Sequence, residues 1–416
     1  MGVQWTRASK RFYERSISHK QTYTSIMAKD IYTGIDIGTY HVKAVLARPA
    51  ENPESPMHII GTGTASSRGM RHGYILDVAE ASKSIREALQ RAQSAAKVRV
   101  RSARVGIGGV GIEEIRSSGA TTLTASGGIA TDAAIARAKA ESQKQASQRL
   151  LNRVVLHSIP QEYKLDGERV LGQPLGLQGT KLGLDTMLIT TLAQHHDDSL
   201  EAVEAAGVEV EGVMASPLAA ALVTLTKSQK MAGVVLANIG SETLSVIVFD
   251  NDIPVSIKVF PFGAAEITNS IALTFQVPLH EAEQLKRGAV SGSEIPKKKM
   301  DALVGGKLKE MFTLVDAHLK SIGRQRLLPA GIVITGGGSS LTSASEIART
   351  VMRLPAGISQ IGLVSRASSV DATWAVAAGL ARWAHMEEMA DSTSSIGELL
   401  TGGLDSIRRG IRSLLP

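Results

Sequence analysis

Two stretches of the chain share one pattern. In YTGIDIGTYHVKAVLA (32–47) an apolar run meets a glycine, turns, and returns as a second apolar run. VVLANIGSETLSVIVFD (234–250) does the same. Short apolar runs paired around a Gly-polar turn predict β-hairpins. Laid together, Ile35-Asp36-Ile37-Gly38-Thr39 falls on Ala237-Asn238-Ile239-Gly240-Ser241, so the first copy carries a carboxylate before its turn where the second carries an amide. Between them the period changes several times. A loop with Pro49, Pro53 and Pro56 is followed by Asp77, an N-cap for an amphipathic helix with Val78, Ile85, Leu89 and Ala92 on one face. Strand character and a Gly-rich turn fill 98–119, Thr131 or Asp132 opens a helix, and strands and turns run through 154–193. Residues 106–188 thus have β-α-β-β content of their own and read as a small inserted subdomain. Beyond a polar helix (197–207) and an apolar segment (214–226) comes the second hairpin. A helical stretch at 277–290, a basic loop at 291–299 and a helix over 300–322 precede a strand that runs into Gly336-Gly337-Gly338 and a further helix. The Ala-rich DATWAVAAGLARWA (371–384) is helical, and HMEEMADSTSS reads as a polar linker.

Length and composition narrow the class. A chain of 416 residues is too long for one core and predicts two to four domains. Hydrophobic residues make up 43% and aromatics only 4%, which fits aliphatic helix-and-sheet packing better than base stacking. With no cysteine, disulfides, thiolate metal sites and a Cys nucleophile are excluded. Most of the net charge of +7 lies in 1–29, where Arg7, Lys10, Arg11, Arg15, Lys20 and Lys29 face only Glu14. The basicity is therefore a tail effect, and no nucleic-acid partner is expected. No apolar run reaches the length of a spanning helix, and the N-terminus lacks an apolar signal core. Met1-Gly2 formally fits an acylation pattern. Met27, just before the first strand, is an alternative start, and 1–29 is expected to be a disordered extension.

Four glycine-centred turns could present backbone N–H groups to phosphate. GIGGVG (106–111) matches a dinucleotide fingerprint by letter, but the residues after it are not helical in pattern, and a strand-end turn is the better reading. The other three form one set: two hairpins and a strand-GGG-helix. In the first hairpin Asp36 can hold a hydrated Mg²⁺, Lys43 can meet phosphate as a point charge, and Gly38, Thr39 and Tyr40 can cradle terminal phosphates. Each hairpin alone would be an ordinary turn; the three together point to a nucleotide cleft.

On these residues the chain resembles the actin/Hsp70/sugar-kinase superfamily and, within it, the FtsA family of bacterial division proteins. DIGTYHVK is similar to the phosphate-1 loop, NIGSETLS to phosphate-2 (Gly240, Ser241, Glu242, Thr243) and GIVITGGGSSL to the adenosine motif (Gly336, Gly337, Gly338, Ser339). HSIPQEYKLDG (157–167), GQPLGLQGTKL (172–182) and AAEITNSIALTFQVPLHEAEQLK (264–286) are more specific to FtsA. Glu283 and Lys286 match a Glu-x-x-Lys that contacts ribose and adenine in the family; a solvent-facing i,i+3 ion pair is the plain alternative. The resemblance implies an α/β, actin-like (ribonuclease H-like) two-lobed fold. Its divisions would be subdomain 1A at 30–105 and 189–217, an FtsA-type subdomain 1C at 106–188, subdomain 2A at 218–256 and 329–370, and subdomain 2B at 257–328. A return helix at 371–386, a linker at 387–402 and an amphipathic helix at 403–416 would follow. It also implies ATP with Mg²⁺ as cofactors, self-association, downstream division proteins as partners of 1C, and the C-terminal tail of FtsZ as a partner of 2B, with Lys297, Lys298, Lys299 and Arg324 as candidate contacts. The location implied is the cytoplasmic face of the cell membrane at the division site. Phosphate-2 departs from the family pattern, because Asn238 replaces an acid and Ser241 and Glu242 replace glycines. Asn cannot carry the charge that offsets Mg²⁺ and orders an attacking water, so weak or no ATP turnover is expected.

At the C-terminus Leu404, Ile407, Ile411, Leu414 and Leu415 recur at helical spacing, flanked by Arg408, Arg409 and Arg412. One apolar face with cations beside it suits an anionic bilayer; a helix docked on its own domain is the alternative. Rival functions are a PilM-like scaffold of type IV pilus assembly, a sugar kinase and an Hsp70-type chaperone. The kinase lacks an evident substrate base, and the chaperone a substrate-binding domain.

Overall fold

The computed structural model describes residues 31–49, 57–288, 296–341, 343–361 and 370–397. The first lobe opens with β1 (Tyr32–Ile37), β2 (His41–Arg48) and β3 (His58–Ser66), a small hairpin of β4 (Met70–Arg71) and β5 (Tyr74–Ile75), helix α1 (Val78–Ala96) and β6 (Ser102–Ile107). Asp77 accepts a hydrogen bond from the Glu80 N–H at 3.0 Å, as its N-cap position requires. An inserted subdomain follows: β7 (Glu113–Thr122), α2 (Asp132–Gln145), β8 (Arg153–Leu165), β9 (Glu168–Val170) and β10 (Lys181–Leu192), with Thr131 as the N-cap of α2. The chain returns through α3 (Ala193–Ala205) and β11 (Glu209–Ala215), then crosses by α4 (Ser216–Thr224) and α5 (Lys227–Ala232). The second lobe holds β12 (Val234–Ile239), β13 (Leu244–Asp250), β14 (Ile253–Phe260), α6 (Ala264–Phe275), α7 (Leu279–Lys286), α8 (Lys297–Ser321), β15 (Ile332–Thr335), α9 (Ala344–Met352) and β16 (Ala356–Ile358). Helix α10 (Ala375–Gly397) goes back to the first lobe.

The two lobes have the same topology. The first sheet runs β11-β6-β1-β2-β3 and the second β14-β13-β12-β15-β16. In each, three consecutive strands pair antiparallel and the other two add in parallel. The alternation expected for a half-buried strand places Ala44 and Leu46 against α1 and α3, with Ile85, Leu89, Ala202 and Val203. Val45 and Ala47 face the other way, into a central core shared with α4 and α10. The second sheet is covered on its far face by α6, α8 and α9 through Ile267, Phe312, Val315 and Ala348.

Several boundaries move from the sequence expectation. β6 pairs with β1 through Gly106 opposite Asp36, so residues 106 and 107 belong to the first lobe's sheet, and the insertion's strands run from Glu113 to Leu192. β14 pairs with β13 as far as Phe260, which keeps 257–260 in the second sheet and out of the outer subdomain. The polar helix expected at 197–207 begins at Ala193. Lys297, Lys298 and Lys299, expected in a loop, form the first turn of α8 after Pro296, a residue that suits a helix start. The stretch from 387, expected to be a linker, is helical as far as Gly397. There the Arg104 guanidinium meets Glu387 at 2.8 Å and the Tyr32 hydroxyl donates to Glu388 at 2.9 Å. The expectations for 1–29 and 403–416 lie outside the described residues, and with them Leu404, Ile407, Arg408, Arg409, Ile411, Arg412, Leu414 and Leu415.

Candidate functional site

A cleft of about 2050 Å³ lies between the lobes, lined by residues of both. The duplicated topology explains its contents. Each central hairpin turns at the same end of its sheet, and each following parallel strand ends in a glycine-rich loop: Gly108 and Gly109 after β6, Gly336 and Gly337 after β15. The GIGGVG stretch is thus a strand-end turn, and it forms cleft wall. Register then fixes the chemistry. Asp36 lies opposite Lys43, whereas Asn238 lies opposite Ser245.

Asp36 is half-buried and lines the cleft. Burial pushes its carboxyl up to about 6, with Lys43 pulling in the other direction. Burial also lowers the Lys43 ammonium, against the attraction of Asp36 and Asp371. Lys43 Nζ donates to the Thr373 carbonyl at 2.5 Å and lies 5.5 Å from the centre of the Trp374 ring. Asp371 holds that turn by accepting from Thr373 N–H at 2.9 Å and Thr373 Oγ1 at 2.6 Å. These groups fit a cation and an anion side by side. A raised carboxyl pKa means the ionised form lacks solvation that a metal ion would supply. The sign for stability follows. The folded pKa lies above the ordinary 3.8, so the folded state binds the proton more tightly, and Asp36 reduces stability as pH rises from about 4 to about 6. Asp36→Asn is expected to stabilise the ligand-free protein at pH 7.5, on the order of 2 kcal/mol, with the gain gone near pH 4. Thermal unfolding of both proteins across that range checks it.

Gly336 has φ of +82°. A Cβ there would overlap the Asn238 side-chain oxygen and the Ile239 carbonyl, so only glycine lets the loop pass this close to β12. Thr335 Oγ1 and the Gly336 N–H both donate to the Ala372 carbonyl, at 2.9 and 3.2 Å, which ties the loop to the Lys43 turn. Gly38, Thr39, Tyr40, Gly240, Ser241, Thr243, Glu283, Lys286, Gly336 and Gly337 all line the cleft. Gly338 and Ser339, expected there, are buried beneath the loop, with Ser339 Oγ donating to the Gly336 carbonyl at 2.7 Å; Ser340 faces the cleft instead.

Glu242, also expected among the ligand contacts, turns away from the cleft. Its Oε2 accepts from the backbone N–H of His72, on the β4–β5 turn of the other lobe, at 2.5 Å. Its carboxylate is engaged by the first lobe, and Glu242 is not among the residues that line the cleft. It joins the lobes instead. A second link spans the cleft mouth, where the Arg287 guanidinium lies 5.4 Å from the Tyr40 ring centre. A third comes from the insertion. Glu114 accepts from the Ile257 N–H at 2.7 Å, Arg116 donates to the Val255 carbonyl at 2.5 Å, and Gln161 donates to the Pro254 carbonyl at 3.0 Å, all on the edge strand β14. Glu242→Ala should broaden the interlobe distances measured between introduced spin labels, and Glu242→Gln, which can still accept, should not. The chain has no cysteine of its own, so labelling is clean.

On the second-lobe wall of the cleft Glu283 and Lys286 form a 2.6 Å ion pair. Thr268 Oγ1 donates to Glu283 at 2.7 Å, and Arg287 Nε donates to it at 2.8 Å. Burial would raise the Glu283 carboxyl, but the hydrogen bonds from Lys286 and Thr268 outweigh it and hold it below the usual range. The pair is therefore no solvent-facing surface bridge: the Lys286 side chain is only 8% exposed. Sequence reasoning missed His72, Asp371, Thr373, Trp374 and Arg287. The Asp-x-Thr before an Ala-rich helix was a readable capping signal for Asp371.

Comparison with known proteins agrees with this arrangement. The chain matches the family model "Cell division protein FtsA" over 235–379 and the "SHS2 domain inserted in FTSA" over 109–190, together more than half its length. The FtsA of Pseudomonas aeruginosa is 28% identical over 355 residues, which cover 80% of this chain and 83% of that protein. That of Bacillus subtilis is 26% identical over 345 residues, 78% and 77% of the two. The chain belongs to the FtsA family. It is an actin-like division protein by fold and family, and β7 to β10 with α2 are the insertion that FtsA proteins carry. Among solved structures, that of the PilM–PilN type IV pilus biogenesis complex matches with a TM-score of 0.64 at 17% identity, over 84% of this chain and 97% of that one. The ethanolamine utilization protein EutJ from Carboxydothermus hydrogenoformans matches with 0.52 at 14% identity, over 84% and 89%. At such identities these likenesses bear on the actin-like fold alone. No helix among the described residues is long and apolar enough to cross a membrane.

The residues that the FtsA resemblance offered as partner contacts do not form one patch. Lys297 lines the cleft at the start of α8. Arg324 lies beyond the other end of that 25-residue helix, roughly 37 Å of rise away, and pairs with Asp250 at 3.1 Å.

Proposed function

We propose that the protein binds ATP with Mg²⁺ between its lobes, self-associates, and tethers FtsZ filaments to the cytoplasmic membrane at the division site, with downstream division proteins engaging the inserted subdomain. The observation that carries the nucleotide reading is the convergence of two homologous hairpins and the Gly336 loop on one cleft, with Asp36 and Lys43 at its floor. Asp36 would hold the hydrated metal ion, Lys43 and the backbone of Gly38–Tyr40 and Gly240–Ser241 the phosphates, and Glu283 and Lys286 the ribose side. The metal ion supplies charge neutralisation between those phosphates when bound. Asn238 offers a carbonyl and an amide but no charge, which supports slow or absent turnover. The tether rests on family membership and on the apolar-basic pattern of 403–416. FtsA membership favours division over a pilus-assembly scaffold.

Calorimetric titration with Mg²⁺ present is expected to give ATP binding, with little phosphate released over hours. Absence of binding, or brisk turnover abolished by Asp36→Ala, would overturn the corresponding half. Co-pelleting with FtsZ on anionic vesicles tests the tether. Full-length protein should carry FtsZ to the vesicles, and deletion of 403–416 should leave both in solution; unchanged pelleting after deletion would sink it.

A further inference from the structure

The edge of the first lobe opposite the cleft carries charge that none of the contacts above uses. β1, β6 and β11 are parallel and begin along this edge, at Tyr32, Ser102 and Glu209. The connection from α1 into β6 reads Lys97-Val98-Arg99-Val100-Arg101. Val98 and Val100 pack against the α1 core, so Lys97, Arg99 and Arg101 point outward and are exposed. The connection is held in place: the Val98 N–H donates to the Gln93 carbonyl at 3.1 Å and the Val100 N–H to Gln93 Oε1 at 3.0 Å. Among the described residues the three cationic side chains make no ion pair and no hydrogen bond. Neighbouring acids are engaged elsewhere. Glu211 and Glu387 both pair with Arg104, at 3.4 and 2.8 Å, and Glu388 accepts from Tyr32. Glu209, like Glu211, is exposed at this edge.

Helix α10 leads to the same edge. It starts beside Lys43 at the cleft, crosses β1 where Gly34 admits the backbone of Ala377 and Ala381, and reaches Tyr32 through His385, with ring centres 5.0 Å apart. It then continues past Glu388 to Gly397, roughly 13 Å further at the helical rise. Helix α10 therefore ends beyond the edge that displays Lys97, Arg99 and Arg101, and the residues from 398 follow it in sequence.

We propose that this basic edge is a docking surface for anionic lipid headgroups, resting on the membrane reading above. Once the C-terminal segment engages a bilayer, a lobe that leans this edge onto the lipid brings the three cations to the headgroups, with its cleft facing away from the lipid. Each cation near such a surface contributes about fivefold to binding, before screening. The surface thus adds affinity only where lipid is acidic, and it fixes the orientation of the lobe.

The test uses the full chain with Lys97, Arg99 and Arg101 all replaced by glutamine, floated with vesicles of phosphatidylcholine alone or with 30% phosphatidylglycerol. Exposed, unpaired positions leave the fold intact, which circular dichroism and an unchanged thermal midpoint check. The triple variant should bind the acidic vesicles at least about tenfold more weakly, with a shallower salt dependence, and the all-lysine variant should bind like the parent. If the parent binds acidic vesicles and the glutamine variant matches it, the docking surface is refuted while the C-terminal tether stands. If the parent floats with neither vesicle, both fail. A glutamine variant that binds vesicles normally but loses an acidic peptide or RNA bound by the parent would also refute the lipid assignment.

Discussion

Gly336→Val should reduce ATP affinity at least about a hundredfold while leaving the protein folded. At a φ of +82° a β-branched residue is strained, and its Cβ would overlap Asn238 and Ile239. Strain of about 2–3 kcal/mol, relieved only by moving the loop off β12, converts to about that factor. The loop is one side of the cleft, and its N–H and Thr335 hydroxyl also anchor the turn that holds Lys43. Displacing it therefore disturbs two parts of the site together. The neighbouring glycine is the control. A Cβ at Gly337 meets nothing within 4 Å, so Gly337→Ala should retain the stability of the parent. Titration calorimetry beside thermal unfolding separates the two; equal ATP affinity in parent and Gly336→Val would show that the loop takes no part in binding.

Gly379→Val should be the most destabilising single change at the lobe junction, by about 3 kcal/mol or more. Helices α4 and α10 cross here, and a Cβ on Gly379 would strike the Ala219 backbone. No side chain can rotate away, because the obstacle is main chain. Gly34 repeats the device one layer on, where a Cβ would strike the backbone of α10 itself. Close approach through glycine is what packs α10 between the first sheet and α4, and α10 begins at the Asp371–Trp374 turn of the cleft. Denaturant titration should find a lower midpoint with an unchanged slope. A midpoint within experimental error of the parent would mean that the helices are not pressed together as described.

The fold was legible wherever a pattern is local. Both hairpins stand out because alternating and continuous apolar runs flank a Gly-polar turn, and their alignment placed Asp36 opposite Asn238 before any pairing was known. The strand register then supplies what the alignment lacked: Lys43 and Ser245 are the cross-strand partners of those two residues. What was not legible depends on contacts far apart in sequence. Glu242 looks like a charge in a phosphate loop until its partner, His72, is placed beside it by the closing of the lobes. The polar stretch from 387 has no apolar face to announce a helix, and is held by Arg104 and Tyr32 across the first sheet. Lys297 to Lys299 read as a loop because Pro296 looks like a breaker, though proline equally begins helices. For the stretch from 387 tertiary contact decided what composition left open; for Lys297 to Lys299 it was which of proline's two local roles applied.

The cross-strand pairs have one more consequence. The matching topologies make the lobes counterparts across the cleft, yet the charge does not match. One half presents Asp36 with Lys43; the other presents Asn238 with Ser245, both neutral. A metal ion entering midway between the two hairpins would be drawn toward the half that owns the carboxylate. When the cleft opened, that ion would travel with a single lobe, and separation would have no metal–carboxylate bond to break on the other side. The symmetry of the scaffold would set where the cleft is, and its violation would set which half keeps the cargo.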